Sequence, residues 1–407
     1  LPNNEQLSSS HDGQNGEASV AHLKLPNADG QTSVYHLVAA SPYPATYTGT
    51  FPRTVYAAAH VVADPRRLRD PWNMPAVDWD ETLAFRRHLW GLGFAIAEAM
   101  DTSQRGMGLD WIGAKELIAR SLAEARTISG ADLACGVGTD QLTPVDVREL
   151  DDIIAAYEAQ IEHVEAHGGR LILMASRALC HRARHADDYK LVYRHLIDGA
   201  RRPVILHWLG AMFDPALAGY WGSDDVETAM ATVLEIINSA PAKIDGIKIS
   251  LLERRHEERL RALLPSGVKM YTGDDFNYAD LMAGDASHVS HGLLGIFDPI
   301  APAAAAALDR LGAGDRTGYH AILDPTVALS RLIFEAPTPY YKAGVVFIAW
   351  LNGFQSHFRM LGGMESARGI VHYADVFRLA DAARLFIDPD LAAGRMKTML
   401  AFNGIDD

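Results

Sequence analysis

The sequence predicts a (β/α)8 TIM barrel with an N-terminal hairpin extension and a C-terminal helical extension, and three observations predict it. Strand-like apolar runs alternate with helix-like runs, the pattern of a parallel sheet covered by helices. The alternation completes eight units by about residue 315 of a 407-residue chain, a size that barrels with insertions reach as one unit. Polar and glycine-bearing segments follow the strand-like runs, where this fold gathers its active site. The expected division is 1–50 for a tail and hairpin, 51–315 for the barrel, and 316–407 for helices packed on it.

Each element has its own warrant. His22 to Leu37 places two β-prone runs around Asn-Ala-Asp-Gly, which reads as a hairpin capping the barrel bottom. The first buried strand is Thr54–Val61. A helix opens around Asp78, with Leu83, Leu89 and Trp90 at helical spacing. Strand two is Gly93–Ala99, followed by a polar loop and a helix from about Leu109 to Arg126. Strand three is Asp132–Val137, and Pro144 suits the first turn of the next helix. Strands four, five and six are Arg170–Ala175, Pro203–Trp208 and Ile244–Ile249. Helices follow around Tyr189–Ile197, from Asp224 to Ser239, and from Leu252. Strand seven is Val268–Tyr271, with a short helix near Tyr278–Met282. Strand eight is Ala286–His291, and the Ala-rich run from Pro302 is its helix. Tyr340–Leu351 and Tyr373–Phe386 are the clearest helices of the extension.

Composition narrows the function classes. Hydrophobic residues make up 48% and charged residues 22%, the balance of a globular chain with a large core. The net charge of −14 without a basic stripe argues against nucleic acid as a partner. The two cysteines, Cys135 and Cys180, make no disulfide framework and no zinc-binding spacing, which fits a reducing cytoplasm. No apolar run approaches the roughly 20 residues of a membrane helix. The first residues lack the layout of a secretory signal and read as a mobile tail.

Lys248 is the first chemical candidate. An ammonium in Ile-Asp-Gly-Ile-Lys-Ile-Ser is costly to bury unless it is paired or loses its proton, and a lysine of lowered pKa attacks carbonyls. The competing reading is a lysine that snorkels out or pairs with Asp274 or Asp275. Those two carboxylates follow strand seven in Tyr-Thr-Gly-Asp-Asp, and either one also suits a helix N-cap. The loop Asp101-Thr102-Ser103-Gln104-Arg105 offers two hydroxyls and a guanidinium as a carboxylate cradle. Gly136-Val137-Gly138 lacks a dinucleotide fingerprint and reads as close backbone approach at the mouth. His60, His207 and His291 fall near the ends of strands one, five and eight. His207 is the best acid/base candidate, since its strand is otherwise apolar.

Four stretches together resemble the dihydrodipicolinate synthase and N-acetylneuraminate lyase superfamily. Gly246-Ile247-Lys248 resembles its Gly-x-Lys on strand six. Val268 to Pro299 resembles its strand-seven Gly-Asp-Asp turn, short helix and strand eight. Pro203-Val204-Ile205-Leu206-His207 resembles its Pro-Val-Ile-Leu-Tyr strand, and Val77-Asp78-Trp79-Asp80 its first barrel helix. The resemblance spans roughly residues 53 to 390 and points to a divergent branch. It departs from the family's pattern in four places. His207 replaces the proton-shuttling tyrosine. Asp101-Thr102-Ser103-Gln104-Arg105 replaces the Gly-Thr-Thr-Gly-Glu loop. Ser176-Arg177 stands where a tyrosine pair is expected, and Gly210-Ala211-Met212-Phe213 lacks the usual arginine.

The resemblance implies a Schiff-base (class I) lyase or aldolase acting on a small oxo compound, a 2-oxo acid or sugar-derived acid. Lys248 would be the nucleophile and His207 the acid/base. Thr102, Ser103, Arg105, Asp274, Asp275, His60 and His291 would surround the substrate. No cofactor and no metal is called for, and the family's habit implies a homo-oligomer, dimer or tetramer. The alternative is a metal-dependent sugar isomerase or epimerase, with His60, His207, His291 and the Asp274/Asp275 carboxylates converging on a divalent ion. A barrel that binds a ligand without catalysis is a third reading.

Overall fold

A computed structural model describes residues 21–67 and 69–405; the predicted mobile tail lies outside the described residues. The hairpin is present, with β1 (His22–Pro26) antiparallel to β2 (Thr32–His36). Eight further strands close into a barrel. They are β3 (Val55–Ala58), β4 (Ala95–Glu98), β5 (Leu133–Val137), β6 (Arg170–Leu173), β7 (Val204–Leu209), β8 (Ile244–Ser250), β9 (Lys269–Thr272) and β10 (His291–Leu294). All neighbours are parallel, and β10 closes on β3. Helices lie between successive strands, so this is a (β/α)8 TIM barrel.

Alternate residues along the strands face the barrel axis. Tyr56, Ala97, Ala134, Ile172, Ile205, Tyr271 and Leu293 fill its interior, with Met100 and Met174 above them. The other faces of the strands join the helices in one continuous core. The interior is therefore a packed floor rather than a pore, and chemistry is confined to the strand ends.

Three elements differ from expectation. The eighth strand begins at His291 instead of ending there. The Asp285 carboxylate accepts the N–H groups of Ser287 and His288 at 2.7 Å each, which turns the chain just before it. Pro144 opens only a short 3-10 turn; the long helix starts at Leu150, where Asp152 accepts the Arg148 and Glu149 N–H groups. The hairpin docks on the C-terminal helices. Tyr35 Oη donates to Asp381 Oδ2 at 2.8 Å, and Arg378 Nη2 donates to the Pro26 carbonyl at 2.8 Å. It is the following segment that reaches the bottom of the barrel: Tyr47 N donates to the Gly91 carbonyl, and Arg53 Nε to the Met282 carbonyl.

The chain beyond the barrel forms helices Arg316–Ile333, Tyr341–Leu351, Ile370–Ala382 and Pro389–Phe402. Every residue of Tyr341–Leu351 is buried. Its first turn enters the barrel mouth, as described below. Among the described residues no helix is long and apolar enough to cross a membrane.

Candidate active site

Lys248 lies on β8 in register with His207 on β7 and Tyr271 on β9. Parallel neighbours in register stand about 4.8 Å apart, so the three side chains share the inner face. Two glycines make room for this arrangement. A Cβ on Gly246 would stand 2.6 Å from the Tyr271 ring, which crosses beneath the lysine. A Cβ on Gly273 would stand 2.6 Å from Lys248 Cε. The Gly-x-Lys and Gly-Asp-Asp sequences are thus steric requirements of a lysine held over an aromatic floor.

Lys248 is only 8% exposed, and its Nζ makes no hydrogen bond to the described residues. Burial holds its pKa below the ordinary lysine value, against the opposing pull of Asp101 and Asp275. His207 is equally isolated: both ring nitrogens are buried without a hydrogen-bond partner. Burial and then the neighbouring Lys248 push its pKa well below 6.5, so the imidazole is neutral at pH 7. A neutral imidazole offers one donor and one acceptor.

The two carboxylates after β9 separate into different roles. Asp274 accepts from Phe276 N at 2.9 Å, Asn277 N at 3.1 Å and Asn277 Nδ2 at 2.7 Å. It is the cap of the turn. Asp275 accepts only from Ile296 N, at 3.1 Å, and faces Lys248. Burial raises its pKa to about 7, despite the lysine. That places a carboxyl group able to give or take a proton near neutrality within electrostatic reach of the amine.

The loop after β4 is committed differently from its sequence expectation. Ser103 Oγ donates to the Met100 carbonyl at 2.7 Å. Arg105 makes five hydrogen bonds, to Asp140 through Nε and Nη2, to the Ala99 and Gly136 carbonyls through Nη1, and to Gln160 through Nη2. All five guanidinium donors are occupied, so Arg105 braces the loops after β4 and β5 and has none left for a substrate. Thr102 shares a hydrogen bond of 2.8 Å with Tyr341 Oη, delivered by the C-terminal helix. Asp101 accepts no side-chain hydrogen bond from the described residues and acts electrostatically on Lys248, Tyr341 and Lys342.

The remaining histidines do not join Lys248. His60 Nδ1 pairs with Asp298 at 2.8 Å and Nε2 lies 3.1 Å from Gln355 Oε1, a satisfied histidine packed on Phe85. His291 starts β10, at the opposite end of the barrel from the mouth. Its Nδ1 accepts from Thr54 N at 2.8 Å, and burial lowers its pKa to about 4. The predicted convergence of His60, His207 and His291 is therefore not formed. Among the described residues no group of three or more His, Cys, Asp or Glu is arranged to hold a metal ion.

A cavity of about 250 Å³ opens over the ends of β4 to β7. His207 stands in its wall with Asp101, Asp140, Ser176, Arg177 and Asp214, and Met174 forms part of its apolar lining. Sequence reasoning missed Asp101, Tyr341 and Lys342 as parts of the mouth. The one available signal was Lys342, the single charged residue in an otherwise apolar helix.

This site sits in a barrel of known shape. A family model described as "Protein of unknown function (DUF993)" matches residues 23–405. The chain belongs to that family. No curated protein matches its sequence. Solved structures do match its fold. A dihydrodipicolinate synthase from Thermotoga maritima is 12% identical with a TM-score of 0.59, covering 83% of this chain and 100% of its own. One from Bacillus clausii is 14% identical with a TM-score of 0.59, covering 80% and 96%. One from Oceanobacillus iheyensis is 14% identical with a TM-score of 0.54, covering 74% and 87%. The DUF993 chain thus shares the barrel fold of these dihydrodipicolinate synthase structures.

Proposed function

We propose that the protein is a Schiff-base-forming lyase of the aldolase type that acts on a small oxo compound, with Lys248 as the nucleophile. One observation carries the reading: a buried lysine without a hydrogen-bond partner at the mouth of a closed barrel, beside an equally unpartnered His207. A buried ammonium left unpaired is costly, and the cost is lowest when the group is a neutral amine. The likeness to dihydrodipicolinate synthase structures supports the reading through the shared fold.

In this reading the neutral amine adds to the substrate carbonyl carbon and forms a C–N bond. One amine proton moves to the former carbonyl oxygen. A second proton, from Asp275, lets that oxygen leave as water, and a protonated imine remains. A base then removes the proton of a β-hydroxyl. The adjacent C–C bond breaks, an aldehyde departs, and the bonding pair passes into the iminium to give an enamine. Reprotonation at carbon and addition of water return the free lysine and the second product. Asp275, with its pKa about 7, is suited to the proton transfers. His207, held neutral, hydrogen-bonds the moving oxygens.

The test is reductive trapping. The protein is incubated with a broad panel of oxo compounds, treated with borohydride, and examined by intact mass and peptide mapping. The expected result is an adduct on Lys248 with at least one compound. Absence of a Lys248 adduct across the panel contradicts the reading.

A further inference from the structure

We propose that this site selects a neutral, hydroxylated ketone or aldehyde and turns away 2-oxo acids. The inference rests on the lysine-imine reading and narrows it. A 2-oxo acid carries a carboxylate directly beside the carbonyl that Lys248 would attack, so the mouth must supply donors for that anion. The side chains of the loop after β4 do not. Ser103 has spent its hydroxyl proton on the Met100 carbonyl at 2.7 Å. Arg105 has spent all five donors on Asp140, Gln160, Ala99 and Gly136. Thr102 is paired with Tyr341 Oη.

The charge that does face the reaction centre has the wrong sign for an anion. Asp101 stands in the cavity wall with no side-chain hydrogen bond from the described residues, close enough to Lys248 to act on it electrostatically. The other carboxylates of this wall are neutralised in pairs, Asp140 by Arg105 and Asp214 by Arg177 through Nε at 2.5 Å, so Asp101 is the one without an ion pair among the described residues. Lys342 Nζ donates to the Pro339 carbonyl at 3.0 Å.

What the cavity offers instead suits hydroxyl groups, which donate and accept in one atom. His207, 1% exposed, presents two unpartnered ring nitrogens, one a donor and one an acceptor. Thr139 Oγ1 and Ser176 Oγ share one hydrogen bond of 2.6 Å, and Ser176 Oγ also accepts from Leu179 N at 2.9 Å. Asp101 supplies an acceptor. A short polyol chain next to a ketone or aldehyde satisfies these groups, whereas a second carboxylate opposes Asp101.

The experiment compares two three-carbon probes, dihydroxyacetone and pyruvate, at equal concentration on the full chain. Borohydride reduction and peptide mapping quantify the adduct on Lys248. Dihydroxyacetone is expected to give about tenfold more adduct or better. Asp101→Asn, which keeps the shape and removes the charge, is expected to raise the pyruvate adduct about tenfold and narrow the ratio. Pyruvate trapping that equals or exceeds dihydroxyacetone trapping in the wild type overturns the inference and leaves the lysine-imine reading standing. A folded Asp101→Asn protein with an unchanged ratio overturns the assignment to Asp101. No Lys248 adduct from either probe or from the wider panel overturns the reading beneath. The wild-type ratio decides by itself if the variant does not fold.

Discussion

The two ends of this barrel are built from the same eight strands and the same kinds of polar residue, and they differ in how those residues are partnered. At the N-terminal end, Lys269 Nζ donates to Asp245 Oδ1 at 2.8 Å and Tyr271 Oη to Asp245 Oδ2 at 2.6 Å. Arg170 donates to Asp132 at 2.6 Å, and His291 accepts from Thr54 N. At the C-terminal end, Lys248, both nitrogens of His207 and the buried Ser250 Oγ have no hydrogen-bond partner among the described residues. Buried polar groups in folded proteins are nearly always paired. At the N-terminal end Arg170 Nε lacks a partner, but its guanidinium keeps the ion pair with Asp132, whereas at the mouth His207 has no partner on either nitrogen among the described residues. Pairing dominates the end that holds the barrel together, and the mouth keeps whole side chains ready for a ligand.

Substitutions can break this contrast. Lys248→Met keeps the apolar stem and removes the ammonium. It should abolish the trapped adduct while unfolding at an equal or higher urea midpoint, because a buried polar group without a hydrogen-bond partner among the described residues has been removed. Arg105→Met should do the reverse. It removes five hydrogen bonds, including those to the partly solvated Asp140 carboxylate, and should cost about 1–3 kcal/mol in urea unfolding. A large loss of adduct formation with unchanged stability would instead make Arg105 a substrate ligand.

Asp275→Asn sharpens the comparison through pH. The Asp275 pKa rises from 3.8 to about 7 on folding, so between those values the folded state binds more protons than the unfolded chain. Its contribution is full below pH about 4 and is lost as pH rises to about 7. The difference in stability between the Asn variant and the wild type should therefore shift in favour of the variant over that range, by up to about 4 kcal/mol. Urea unfolding of both proteins at pH 4.5 and 8 reads it, and a parallel pH dependence removes Asp275 from the account. The smallest effect is expected at the other end. Asp245→Ala should cost about 1–3 kcal/mol of stability and leave the adduct yield per folded molecule unchanged.

Much of the fold was legible because its signals are local. Strand–helix alternation and the Asn-Ala-Asp-Gly turn are properties of neighbouring residues, and the barrel and hairpin followed from them. The eighth strand slipped because Ala286 to Ser290 is as strand-like in composition as the true strand; the turn held by the Asp285 carboxylate decides against it. In the site, Lys248 was legible as a charge in an apolar strand. The choice between Asp274 and Asp275 was not, since both follow the same glycine and only the acceptance of the Phe276 and Asn277 N–H groups separates them. Arg105 looked available because sequence cannot show that Asp140, Gln160 and two carbonyls converge on it. Tyr341 reaches Thr102 across 239 residues of chain, by packing of a helix whose pattern says only that it is buried.

The most direct measurement is a crystal structure of the borohydride-reduced protein after incubation with the oxo compound that traps best. The account predicts electron density continuous from Lys248 Nζ into the cavity beside His207. Density for the compound attached to another lysine, or lying free with an unmodified Lys248, contradicts it.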